Sequence, residues 1–168
     1  MDVLREEYLG ARAGDAQLAA AYVQQVAEKL RERLPPADVT SQQLRDRSWW
    51  TGPELYLVID DYDLVTGAGS AASRALLAPL LDYLTQAADI GFHLVLARRL
   101  GGFSRSAMAD PLLGRLKDGG SGGLILSGDP REGVILGDQR AARQIPGRGF
   151  LVSRRDGSSV VQIVRPTG

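Results

Sequence analysis

A parallel β-sheet covered by helices, followed by a β-hairpin near the carboxyl end, is the fold this sequence predicts, and three stretches predict it. Residues 55–59, Leu-Tyr-Leu-Val-Ile, are an unbroken apolar run leading into Asp60 and Asp61. A run this short, rich in β-branched and aromatic side chains, reads as a strand buried on both faces, and such strands belong to helix-covered parallel sheets. Residues 92–97, Phe-His-Leu-Val-Leu-Ala, repeat the pattern and end in Arg98-Arg99. The leucine-rich segment between the two runs completes a strand–helix–strand unit, which crosses over right-handed into a parallel pair. Residues 150–153 and 160–164 flank Asp156-Gly157, a strong short hairpin signal.

In chain order, residues 1–14 hold Gly10 and Gly14 and read as a loop or short strand remnant. Asp15 is a suitable N-cap, and Leu18, Tyr22, Val26 and Leu30 then recur every fourth residue, an amphipathic helix that ends at Pro35-Pro36. Thr40 or Ser41 caps a short second helix through Leu44, and Trp49-Trp50 follow in a loop before Gly52-Pro53. Paired tryptophans serve either as a recognition surface or as packing under a loop, and packing is the commoner use. After the central strand, Leu76, Leu77, Leu80, Leu81 and Leu84 predict a long helix kinked at Pro79. Asp110-Pro111 opens a short helix to about Lys117, residues 119–123 are a glycine-rich loop, 123–126 a third strand and 134–136 a further one.

Composition bounds the function. The 168 residues make one domain's worth of chain, with ordinary hydrophobic (44%) and charged (24%) fractions and zero formal net charge. That balance gives no footprint for nucleic acid or an anionic membrane. Cysteine is absent, which removes disulfides and thiolate metal sites and suits the cytosol. No apolar stretch approaches the roughly 18 residues of a membrane span, and the acidic start does not read as a signal peptide.

The chemistry concentrates at the end of the central strand. Ligands of open α/β sheets bind just beyond the carboxyl ends of the strands. Asp60 there can hold Mg²⁺, directly or through water, against a nucleotide phosphate, and Asp61 can orient an attacking water, the arrangement called Walker B in P-loop ATPases. The same pair also reads as two solvated acids that end a strand and begin a turn. Other constellations are weaker. His93, the single histidine, lies inside an apolar strand and reads as structural. Asp60 and Asp61 as a glycosidase pair would point to opposite faces. Residues 119–123 lack the Lys-Ser or Lys-Thr of a phosphate loop. Gly67-Ala-Gly69-Ser-Ala-Ala72 matches a dinucleotide loop loosely, but its glycines do not follow the strand directly, and Asp60, Asp61 and Asp63 would repel a pyrophosphate.

Ser48-Trp49-Trp50-Thr51-Gly52-Pro53-Glu54, Leu57-Val58-Ile59-Asp60-Asp61-Tyr62-Asp63, Gly91 through Arg99, and Pro146-Gly147-Arg148-Gly149 together resemble the EccC family, the FtsK/SpoIIIE-type motor ATPases of type VII secretion. The resemblance runs from about residue 7 to the end and is nearest to the last of the family's tandem ATPase modules. It implies a RecA-like P-loop NTPase sheet, hexameric assembly, and a cytoplasmic position at the inner face of the cell membrane, reached through the rest of the complex. It implies as partners the remainder of the tandem ATPase protein, neighbouring modules, and small helical-hairpin secretion substrates whose tails the module meets. Asp60 would hold Mg²⁺ through water and Asp61 would be a weakened catalytic group. Arg98 and Arg99 would lie near the phosphates or at a subunit boundary, and Pro146, Gly147, Arg148 and Gly149 would approach the nucleotide or a neighbouring module.

The departures set further expectations. Family modules open with a strand, a phosphate loop carrying Lys-Ser or Lys-Thr, and a helix, and no such sequence occurs here. The chain is therefore expected to be a single partial FtsK/SpoIIIE-like domain, incomplete at its amino end, with a gap in its sheet and poor solubility. ATP and Mg²⁺ are expected only if a phosphate loop is supplied by another segment, because that loop carries most of the phosphate-binding groups. Asp61 stands where active modules usually carry Glu, one methylene too short for a base held in Glu geometry, and Arg98 stands where a Ser or Thr sensor is common. Two other readings remain open: a nucleotide-independent adaptor for substrate tails, and a piece of an FtsK-like DNA translocase, which the neutral charge disfavours.

Overall fold

The computed structural model describes residues 9–65 and 76–164. They fall in two compact units, Met1–Ile59 with Ser70–Val95, and Asp60–Gly69 with Leu96–Gly168. The Gly67–Ala72 loop and the beginning of the leucine-rich segment lie outside the described residues.

In the first unit α1 spans Ala16–Glu32, with the Asp15 side chain accepting the Leu18 N–H at 2.8 Å. Its buried stripe is Val23, Ala27 and Leu30, with Tyr22 and Val26 on the margin. α2, Ser41–Asp46, starts in a full capping box: Thr40 accepts the Gln43 N–H, and the Gln43 side chain accepts the Thr40 N–H. The leucine-rich segment is a 3-10 helix over Ala78–Gln86 where an α-helix is predicted. Pro79 sits in its first turn, where a missing N–H costs no intrahelical bond, and the turns at both ends close on the third residue, Leu80 N–H to Leu77 O and Ala87 N–H to Leu84 O. The segment still buries Leu77 and Leu80, and α1 packs on it.

β1, Leu55–Ile59, and β2, Phe92–Leu96, form a small two-stranded parallel sheet. They are hydrogen-bonded neighbours, so no missing strand separates them and the unpaired backbone lies on their outer edges. Their burial corrects the sequence reading. Leu55, Leu57 and Ile59 turn inward, whereas Tyr56 (65% exposed), Val58 (45%) and, on β2, Val95 (48%) face solvent. An unbroken apolar run records what a strand can bury on its two faces, and among the described residues only one face is covered.

The second unit holds α3 (Tyr62–Val65), α4 (Phe103–Ala109), α5 (Pro111–Asp118), β3 (Gly123–Ile125), β4 (Val134–Leu136), β5 (Gln139–Arg140), β6 (Arg148–Ser153) and β7 (Gly157–Gln162). β3, β6 and β7 make an antiparallel sheet in that order, and β4 and β5 a small hairpin. The third predicted strand is present but runs antiparallel to β6, with Leu124 opposite Leu151, so the parallel sheet expected throughout is confined to β1 and β2. The predicted hairpin is β6–β7. Ser153 faces Gly157 across a loop of Arg154, Arg155 and Asp156, with Gly157 at φ +74°, a conformation that favours glycine at the end of such a loop. Phe103, Ile125, Ile135, Ala141 and Val152 form the core.

α4 was not legible in the sequence. Its N-cap, Gly102, supplies no side-chain cap. The capping groups come from Glu132, whose carboxylate accepts the Gly102 N–H at 2.6 Å and the Ser104 N–H at 3.5 Å, while the Ser104 hydroxyl donates to the Glu132 carbonyl. A cap supplied from 30 residues away leaves no local signature.

Candidate functional site

β1 ends at the buried Ile59, and the chain emerges into Asp60 and Asp61, both exposed. The Asp60 carboxylate accepts the Asp61 N–H at 2.9 Å, and Asp61 sits at φ +47°, a left-handed conformation that Asp tolerates better than most residues. The four-residue α3 that follows is too short to persist alone. Tertiary contacts of Tyr62 and Asp63 hold it.

Tyr62 is 2% exposed. Its N–H donates to Ala97 O at 2.9 Å, and its phenol donates to Asp110 Oδ2 at 2.7 Å. Burial pushes the phenol pKa far above the ordinary tyrosine value, and the hydrogen bond and negative charge of Asp110 push it further. Asp110 Oδ1 meanwhile caps α5, accepting the Leu112 and Leu113 N–H groups at 2.9 and 3.3 Å. One carboxylate thus anchors both a helix start and the turn after the acid pair.

Asp63 holds the other side of the turn. Its Oδ1 lies 2.7 Å from Arg98 Nη2, and its Oδ2 accepts the Arg99 N–H at 2.9 Å. The Arg98 side chain is 10% exposed. Its Nε donates to Arg99 O at 3.1 Å, its Nη2 lies 3.4 Å from Ser106 Oγ, and its guanidinium sits 5.4 Å from the Phe103 ring centre. The cation is therefore engaged on several sides within the unit. The Arg99 side chain is exposed.

Of the residues singled out from sequence, the structure brings Asp60, Asp61, Arg98 and Arg99 to the ends of two neighbouring strands. Residues 146–149 form the turn that leads into β6. Arg148 N–H bonds Ile145 O at 3.0 Å around Pro146 and Gly147, with Gly147 at φ +77°, the pattern of a type II turn. A Cβ on Gly147 would lie 2.8 Å from Gln162 Nε2, and one on Gly149 would lie 2.4 Å from Ile125 O. Both glycines are needed for these close approaches. Sequence reasoning missed Tyr62, Asp110 and Ser106 as supports of the site; proximity of Tyr62 and Asp63 to the acid pair was the available signal.

The paired tryptophans are packing residues. Trp49 Nε1–H donates to Arg33 O and Trp50 Nε1–H to Asp89 O, each at 2.8 Å, and the Arg33 guanidinium lies 4.5 Å from the Trp50 ring centre. His93 is also structurally engaged, with Nε2 2.8 Å from Glu54 Oε2 and its ring stacked on Tyr56 at 4.3 Å.

Set against a Mg-nucleotide, this donor set fits one part. An exposed carboxylate at the carboxyl end of β1 suits water-mediated contact with Mg²⁺. Among the described residues no group of three metal-ligating side chains occurs, and the sequence has no phosphate loop.

No family model matches the chain. It is 42% identical over 162 residues to the ESX secretion system protein EccC of Thermomonospora curvata, covering 96% of this chain and 12% of that protein. It is 40% identical over 163 residues to the ESX-4 secretion system protein EccC4 of Mycobacterium tuberculosis, covering 97% of this chain and 13% of that one. The chain thus spans about an eighth of the length of these curated relatives. Among solved structures it is similar to Thermomonospora curvata EccC (ATPases 2 and 3) in complex with a signal sequence peptide, with TM-score 0.89, 40% identity, and coverage of 99% of this chain and 29% of that one. It is also similar to the cytoplasmic domain of the same organism's type VII secretion ATPase EccC, with TM-score 0.89, 39% identity, and coverage of 100% and 19%. Among the described residues no helix is long and apolar enough to cross a membrane.

Proposed function

We propose, for a chain that belongs to the EccC family of type VII secretion ATPases, that these residues contribute the carboxylate half of a degenerate nucleotide site in the last ATPase module. Asp60 would hold Mg²⁺ through water, and Asp61 would be a weakened water-positioning group. The observation that carries this reading is the exposed Asp60-Asp61 pair, set on a turn held through Tyr62–Asp110 and Asp63–Arg98. ATP enters only where a phosphate loop from another segment completes the cradle. The acting protein is cytoplasmic, at the inner face of the membrane complex. The tail of a small helical-hairpin substrate is a second ligand, by analogy with the signal sequence peptide bound by the Thermomonospora EccC ATPases. The engagement of Arg98 by Asp63 removes one cation from phosphate binding, which disfavours nucleotide turnover by this chain taken alone.

Isothermal titration of the chain with Mg-ATP tests the nucleotide half. Binding no tighter than about millimolar is expected, together with no hydrolysis. Micromolar affinity that disappears in Asp60→Ala would reveal a phosphate cradle within this chain and overturn the half-site assignment.

A further inference from the structure

β7 is the outer strand of the β3–β6–β7 sheet, and among the described residues its outer edge carries none of the usual guards. Its sequence, Gly-Ser-Ser-Val-Val-Gln, holds no charge and no proline. Edge strands of soluble proteins are blunted by lysines, prolines, bulges or covering loops, because a row of unpaired N–H and C=O groups templates another strand. The register with β6 runs without a bulge from Arg148 opposite Gln162 to Ser153 opposite Gly157. Ile163 N–H points inward to Gly147 O at 2.8 Å. Backbone direction alternates along a strand, so the N–H groups of Ser158, Val160 and Gln162 point outward at the free edge. All three residues are exposed.

The charge around this edge is one-sided. Residues 138–164 contain five arginines and two acids. Arg154 and Arg155 stand exposed in the β6–β7 loop, and Arg140 follows Gln139, whose side chain accepts from Ser158 Oγ at 2.7 Å. Of the two acids, Asp138 stands exposed before Gln139, and Asp156 is drawn into the loop, where its carboxylate accepts from Ser153 Oγ at 3.2 Å.

We propose that the β7 edge is a docking site for an extended peptide with carboxylates at its flanks, which adds as a further strand to the β3–β6–β7 sheet. The peptide's backbone pairs with the outward groups of Ser158, Val160 and Gln162, and its acidic flanks meet Arg154, Arg155 and Arg140. This site is independent of the Asp60-Asp61 half-site.

The probe is a labelled peptide of alternating valine and threonine flanked by paired glutamates, with a lysine-flanked counterpart, added to the full 168-residue chain. Fluorescence anisotropy reads binding, and amide hydrogen exchange reads its place. The glutamate-flanked peptide is expected to bind saturably and to slow exchange at Ser158, Val160 and Gln162. Arg154→Glu with Arg155→Glu is expected to weaken it by about tenfold. Val160→Pro is expected to abolish binding while leaving the sheet intact, because the lost N–H faced solvent. Val160→Lys, which guards the edge without touching the backbone, gives the same loss should the proline variant unfold. Absence of slowed exchange at these amides, equal binding of the lysine-flanked peptide, or dimers of the chain itself that Val160→Pro dissolves would each overturn the proposal.

Discussion

Tyr62 carries a testable consequence of the site's geometry at the scale of one residue. The phenol is buried and donates to Asp110, so the folded state keeps its proton where the unfolded chain would lose it. A folded pKa raised above the unfolded one gives stability that is fully present below the unfolded value, about 10 for tyrosine, and is lost as pH rises beyond it. Urea unfolding of the parent chain is therefore expected to lose stability above about pH 10 more steeply than Tyr62→Phe. The variant itself should cost about 1 kcal/mol at neutral pH. Parallel pH profiles would show that the hydroxyl is not held as described. At this scale the sequence exposed the acid pair, because an apolar run that ends in carboxylates is a local pattern. It did not expose the Tyr62–Asp110 bond, which joins residues 48 apart, or the Arg98–Asp63 pair, because no local rule joins those residues.

Elements were legible where their caps were local. Asp15, Thr40 and Asp110 each start a helix with their own side chain, and each start was readable. α4 borrows its cap from Glu132 and was invisible, and the leucine stripe after β1 predicted burial correctly but not the 3-10 geometry that Pro79 accompanies. The borrowed cap should matter to stability. Glu132→Ala leaves the first N–H groups of a seven-residue helix without their carboxylate and is expected to cost about 1–2 kcal/mol in chemical denaturation. Glu132→Gln, which keeps an acceptor but loses the charge, is expected to cost roughly half as much. Faster exchange at the Gly102 and Ser104 amides should accompany the loss. Unchanged exchange there would assign the stabilisation of α4 to its packing on the core through Phe103.

At the scale of the whole molecule, the apolar runs predict two covered faces on the parallel strands, and the described residues cover one. Burial depends on which elements stack, and an apolar run carries no information about layers it does not contain. Tyr56, Val58 and Val95 therefore form an apolar face open to water, on a sheet that has two strands among the described residues. Contiguous apolar surface of this kind promotes association. The chain is expected to self-associate in sedimentation velocity, with the sedimentation coefficient rising with concentration. Val58→Lys together with Tyr56→Lys places two charges on the open face and is expected to restore a single monomeric species. Val160→Pro, on the other unit's sheet, should leave this association unchanged. A monomeric parent chain at high concentration would mean that Tyr56, stacked on His93 at 4.3 Å, already shields enough of the face for solubility. Association that survives both lysines would place the adhesive surface elsewhere, with Leu64, 72% exposed after the acid pair, the next candidate to test.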